Sequence, residues 1–124
     1  MDKNDKNTYI QELKDLLLSF RDERDWKQFH SPKYLAEALS VEAGELLELF
    51  LWKNKEEIED KIKSDPDFKT RVEEELADVI NYCICFANVT DIDIFKISVD
   101  KTQKNKKKYP IEKAKGSSKK HNEL

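Results

Sequence analysis

At 124 residues the chain has room for a single domain of about four helices or a small sheet, which excludes a multidomain enzyme. Charged residues make up 40% of it, 23 basic against 26 acidic for a net charge of −3, and only two glycines and three prolines are available for turns. An all-β sandwich needs many such residues at its tight turns, so the composition favours an all-α chain. No run of about 18 apolar residues is present to span a bilayer, and the charged start MDKNDKN lacks the apolar stretch of a signal peptide, so a cytoplasmic protein is expected.

Residues 8–25 place Ile10, Leu13, Leu16, Leu17 and Phe20 three, four and seven apart, the single apolar stripe of an amphipathic helix. Ser31 followed by Pro32 is a cap residue with proline at the first helical position, and it opens a second helix whose apolar residues run from Tyr34 to Trp52. This helix is apolar around more of its circumference than one small bundle needs to cover, so a homo-oligomer, dimer or tetramer, is expected. The stretch KNKEEIEDKIKSDPDFK is polar and reads as a short helical turn and loop. Asp65 and Pro66 repeat the cap-and-proline start of a helix over about 67–88, with Val72, Leu76, Val79, Ile80, Cys83 and Phe86 as its buried side. Phe29, between the first two helices, reads as core packing. Asp91 is expected to open a fourth helix in which Ile94, Ile97 and Val99 face inward and which ends before Pro110. Four such helices in up-and-down order predict a four-helix bundle over residues 1–110.

Cys83 and Cys85 point about 200° apart on a helix and cannot bridge each other. They read as small apolar core residues, because a structural zinc needs four ligands and only His30 and His121 remain to help. From Lys101 onward nine lysines face two glutamates, a local charge of +7 that leaves −10 on residues 1–100. Residues 111–124, with Gly116, Ser117 and Ser118 among lysines, read as a basic disordered tail.

The second helix carries the first chemical signal. On a wheel of about 100° per residue, Leu35 and Leu49 lie within about 20° of Glu42, and Ala38 and Leu46 within about 40°. A carboxylate in the middle of an apolar stripe is costly unless an opposite charge meets it. The third helix offers no cation there; it offers Glu75 and Asp78, three apart beside its own apolar side. If the two helices pack antiparallel, the pair Glu42/Glu45 faces the pair Glu75/Asp78, and four converging carboxylates require cations. Oxygen-only ligands suit Mg²⁺, or Mn²⁺. A di-iron bundle would need ExxH pairs, and positions 27 and 118, three before the two histidines, are Lys and Ser.

Magnesium held by carboxylates serves phosphates, and Lys101, Asn105 and Lys108 recur at helical spacing ahead of Tyr109. Flat rings for a base are available in Trp26, His30, Trp52 and Tyr82. The competing reading is a non-catalytic helical module whose acidic pairs are surface decoration and whose basic end meets nucleic acid or protein.

Taken together, RDWKQFHSPKYLAEALSVEAGELLELFLWK, EEELADVINY and DKTQKNKKKYP resemble the MazG-like all-α nucleoside triphosphate pyrophosphohydrolases, and within them the dCTP pyrophosphatase branch. The similarity covers roughly residues 20–116, and the order EAGE, ELAD, KxxxNxxxYP is far more specific than any one of the three. The resemblance implies Mg²⁺-dependent cleavage between the α and β phosphates, releasing a nucleoside monophosphate and pyrophosphate. It matches Glu42, Glu45, Glu75 and Asp78 to metal ligands, one of which helps activate water. It further matches Lys101, Asn105 and Tyr109 to phosphate-holding positions, and Trp26, His30, Trp52 and Tyr82 to positions around base and sugar. Leu17 stands where animal members of the branch carry histidine, and related enzymes assemble as dimers or tetramers with sites near subunit contacts.

Overall fold

A computed structural model describes residues 2–124. It is all-helical, with no strand among the described residues, and divides into two compact units, Met1–Asp91 and Ile92–Leu124.

The first unit holds α1 (Ile10–Glu23), α2 (Pro32–Glu48), α3 (Lys55–Ser64) and α4 (Pro66–Thr90). The starts of α2 and α4 follow the cap-and-proline signals: the Ser31 hydroxyl accepts the Tyr34 N–H at 3.1 Å, and the Asp65 carboxylate accepts the Phe68 N–H at 3.1 Å. Each cap satisfies a donor that the helix leaves orphaned, and each proline occupies a site where no donor is needed. The polar stretch after α2 forms more than a turn. Asn54 caps α3, accepting the Glu57 N–H at 2.9 Å, and Lys61 and Lys63 fill its last turn, where they oppose the helix dipole.

The long α4 is the axis of this unit, with α1, α2 and α3 all packed on it. Leu35 is fully buried, and Leu49, Phe68, Ile84 and Ala87 complete the core. The Phe68 ring meets the edge of Phe50 at 6.2 Å between centroids, with the Lys61 ammonium 4.8 Å over its face. One hydrogen bond ties distant parts of the sequence together, from the Asn88 side-chain amide to the Lys14 carbonyl at 3.1 Å.

The buried side of α4 differs from the expected one. Leu76 and Ile80 keep 46% and 42% of their surface exposed and Cys83 is exposed, while Phe68, Ile84 and Ala87 go inside. Val72, Val79 and Phe86 are half-buried, and Leu76, Ile80 and Cys83 form one flank of the same wide apolar arc, a flank that the three packed helices leave open. Val41, Leu47 and Leu51 on and after α2 are exposed in the same way. Cys85 is half-buried rather than core, and Phe29 is 58% exposed rather than packed inside.

The second unit holds α5 (Ile94–Lys108) and the short α6 (Ile111–Ala114). Its start lies at Asp93, whose carboxylate accepts the Lys96 N–H at 2.8 Å; Asp91 instead ends α4 in a left-handed conformation, φ 54°. Ile97 and Val99 are 51% and 40% exposed and α5 buries no residue, contrary to the inward face expected of them. Ile94, Phe95, Ile97 and Val99 spread over an arc of roughly 200°, too wide for one neighbour to cover. The segment expected to be disordered contains α6 and a 3-10 turn over His121–Glu123, with the His121 ring set edge-on to Tyr109 at 5.8 Å. No helix among the described residues is long and apolar enough to cross a membrane.

Candidate active site

Packing α2 on α4 brings Glu42, Glu75 and Asp78 together: one carboxylate oxygen from each lies within 4.8 Å of the other two. Glu42 is half-buried and lies on the same face of α2 as the buried Leu35, two turns before it, and the buried Leu49, two turns after it. Oε2 of Glu42 and Oε2 of Glu75 are both buried and without a hydrogen-bond partner. Glu45 is exposed and stands outside the three-oxygen group, but close enough for its carboxyl to share a hydrogen bond with Glu42.

Three acids crowded at a helix contact repel one another, and the protonation equilibria show it. A hydrogen bond that the protonated Glu42 carboxyl donates to Glu45, then burial, then the charges of Glu45, Asp78 and Glu75 raise the Glu42 carboxyl from 4.5 to about 7. Burial and the Glu45 charge raise that of Glu75. No Lys or Arg forms an ion pair with Glu42, Glu45, Glu75 or Asp78 among the described residues. Two orphaned buried oxygens, an all-oxygen donor set and a surplus of negative charge together fit a hard divalent cation such as Mg²⁺ or Mn²⁺.

Beside the cluster opens a cavity of about 340 Å³ lined by α1, by the segment joining it to α2, by Tyr34 in the first turn of α2, and by α4; Asp78 belongs to both cavity and cluster. Its approach is shaped by the end of α1. Asp25 takes the left-handed conformation, φ 55°, while its N–H bonds to the Asp22 carbonyl at 3.1 Å and the Trp26 N–H bonds to the Arg21 carbonyl at 3.0 Å. This is a Schellman ending, which reverses the chain and delivers Trp26 to the cavity wall. The Trp26 ring meets Phe20 edge-on at 5.7 Å, and His30 lies nearly parallel to Tyr34 at 6.4 Å. Burial, with a contribution from the Arg21 charge, lowers the His30 imidazole below its ordinary value and keeps it neutral at pH 7. Tyr82, from α4, completes the ring-lined wall, and burial raises its phenol. Phe29 joins Trp26, His30, Tyr34 and Tyr82 around an adjoining outer lobe.

Of the residues singled out from sequence, the structure thus brings together Glu42, Glu75 and Asp78, with Glu45 adjacent, and separately Trp26, His30 and Tyr82. Trp52 is not on the cavity wall; it is 98% exposed in the turn after α2, in a left-handed conformation with φ 65°. Lys101 and Asn105 stand on α5 and Tyr109 at its end, all in the second unit. The sequence reading did not single out Asn81, Phe20, Tyr34 or Cys85 as site residues, yet all four line the cavity. For two of them a signal exists in the register: 78, 81, 82 and 85 share one face of a helix.

A family model for the MazG-like family matches residues 38–124. The chain belongs to the MazG-like family. Among its relatives, dCTP pyrophosphatase 1 of Homo sapiens is 37% identical over 115 residues, spanning 93% of this chain and 67% of that protein. The rat protein of the same name is 35% identical over the same share of this chain. The crystal structure of a pyrophosphatase from Archaeoglobus fulgidus superposes with a TM-score of 0.76 at 36% identity, covering 88% of this chain and 99% of that one. As a MazG-like protein, the chain places its half-buried acidic cluster and its aromatic cavity at the two ends of one shared residue, Asp78.

Proposed function

We propose that this chain hydrolyses a nucleoside triphosphate, dCTP or a modified dCTP, to the monophosphate and pyrophosphate with Mg²⁺, Mn²⁺ being an alternative. It is a nucleotide pyrophosphatase by its family and by its alignment with dCTP pyrophosphatase 1 over 93% of its length. The observation that carries it is the pair of buried, partnerless carboxylate oxygens on Glu42 and Glu75, next to Asp78 and opening on a ring-lined cavity.

Glu42, Glu75 and Asp78 would hold the ion. A divalent cation bound there supplies positive charge against the polyphosphate and makes nearby water a better nucleophile. Glu45, exposed beside the cluster, is the proton acceptor: it takes a proton from the attacking water as the new O–P bond forms and the bond bridging the α and β phosphates breaks, the electron pair leaving with pyrophosphate. Trp26, His30 and Tyr82 hold base and sugar in the cavity, with His30 neutral and so able to donate one hydrogen bond and accept another. Lys101, Asn105 and Tyr109 supply donors to the phosphates. Trp52 acts on a neighbouring copy. A tryptophan held 98% exposed in a left-handed conformation is a strained backbone carrying a large unburied ring, and a homo-oligomer gives that ring a partner. The exposed apolar strips at Val41, Leu47, Leu76 and Ile80 support the same assembly.

Purified protein incubated with Mg²⁺ and each dNTP and NTP, with products separated by anion exchange, tests the reaction. Monophosphate plus pyrophosphate, cytidine nucleotides fastest, is the expected result. Release of inorganic phosphate, or no turnover with either metal, contradicts it and favours the non-catalytic module.

A further inference from the structure

Within the cavity, Asn81 is the only side-chain amide. It lies on α4 three residues beyond Asp78, with Tyr82 beside it and Cys85 one turn further on. Along the helix axis, Asp78 to Cys85 spans about 10 Å, with the acidic cluster at one end and Asn81 part-way to the other. The amide is half-buried and makes no hydrogen bond to any other group among the described residues. An amide at the wall of a partly desolvated cavity, with two donors and an acceptor unused, is a group waiting for a ligand of its own pattern. The rest of the wall offers rings, Leu17, the Asp78 carboxylate and the Cys85 thiol, which burial keeps protonated and so a weak donor.

Resting on the nucleotide reading above, we propose that Asn81 grips the hydrogen-bonding edge of the nucleobase and that this makes the site tolerant of more than one base. Cytosine presents an amino donor beside a ring-nitrogen acceptor; uracil and thymine present a carbonyl acceptor beside a ring N–H donor. A carboxamide meets either pair by turning over about its last torsion, because its oxygen and nitrogen are nearly the same size. No neighbouring group fixes the amide one way round, since it has no hydrogen-bond partner among the described residues. Asn81 therefore distinguishes a base with a free edge from one whose edge is blocked, and distinguishes poorly between free edges. Where a site is built to bond a polar edge, the analogue that lacks it leaves the amide buried and unpaired and is rejected.

The test is a cycle between protein and substrate. Wild-type protein and the Asn81→Leu variant are assayed with Mg²⁺ on dCTP, dUTP and the triphosphate of 3-methyl-2′-deoxyuridine, whose ring N–H is replaced by a methyl group. Inhibition by inorganic tripolyphosphate, which has no base, is measured alongside. Wild-type kcat/KM is expected to agree between dCTP and dUTP to within about tenfold and to fall about tenfold or more for the methylated substrate. Asn81→Leu is expected to raise KM for dCTP and dUTP about tenfold, to abolish the penalty for the methyl group, and to leave tripolyphosphate inhibition unchanged. A methyl penalty that survives in Asn81→Leu, or a wild-type preference for dCTP over dUTP beyond a hundredfold, overturns the role of Asn81 while the reaction itself stands. Hydrolysis of none of the three by wild-type protein overturns the nucleotide reading and this inference with it. A serine variant, Asn81→Ser, guards against a packing defect from leucine: it is expected to reproduce the loss of the methyl penalty, and retention of that penalty counts against the proposal.

Discussion

Two neighbouring layers of the α2–α4 contact are built on opposite terms. At Leu35 and Leu49 the helices meet through buried aliphatic surface, where removing water from each side chain stabilises the fold by roughly 2 kcal/mol. Between those leucines the same contact holds Glu42 against Glu75 and Asp78, with two carboxylate oxygens buried and unbonded. One layer holds the helices together and the other pushes them apart. A sequence selected for stability alone would place a leucine at position 42, so the acidic layer is the part of the contact that stability does not explain.

Substitutions in the two layers should separate these roles. Glu42→Gln or Asp78→Asn is expected to lower kcat by at least about a hundredfold while circular dichroism stays unchanged, and metal-free Glu42→Gln is expected to melt no lower than wild type. Retained turnover in both variants would remove the cluster from the site. Leu35→Ala is expected to do the reverse, costing about 2–5 kcal/mol in denaturant melts, with the surviving folded fraction still active; a cost under about 1 kcal/mol would mean that this layer does not hold the helices.

The acidic layer should also show in the pH dependence of stability. Glu42 titrates near 7 in the fold against 4.5 ordinarily, so the folded state binds its proton more tightly than the unfolded chain does. The stability this contributes is complete below about pH 4.5 and is lost as pH rises through 7. A divalent ion replaces the proton, so the rise in melting temperature on adding MgCl₂ is expected to be larger at pH 8 than at pH 5.5. An equal rise at both would show that the ion binds elsewhere. The smallest effect concerns Trp52: Trp52→Gly is expected to gain about 1 kcal/mol by relieving the left-handed residue, and to raise KM. A gain in stability with KM unmoved would take Trp52 out of the site.

Signals that depend on one helix were the legible ones. Ser31–Pro32 and Asp65–Pro66 start helices where their chemistry says they should, and Glu42 could be recognised as out of place from the leucines around it on a single wheel. What depends on how helices meet was less visible. How much of the wide apolar arc of α4 goes inside is decided by its three neighbours, which leave the flank of Leu76, Ile80 and Cys83 open. The start of α5 was placed at Asp91 because two aspartates two residues apart are equally good caps, and only the left-handed φ of Asp91 separates the end of α4 from the next beginning. Asn81 was invisible for a different reason. An asparagine three residues after an acid is unremarkable on a helix until the loop that reverses at Asp25 brings Trp26 and His30 over it.

Calorimetric titration of the metal-free protein shows whether Glu42, Glu75 and Asp78 form a divalent cation site. Titration with Mg²⁺ and with Mn²⁺ at pH 8 is expected to show saturable binding to wild-type protein and none to the double variant Glu42→Gln/Glu75→Gln. Equal binding to both proteins, or no binding to wild type, would mean that these carboxylates hold no divalent cation.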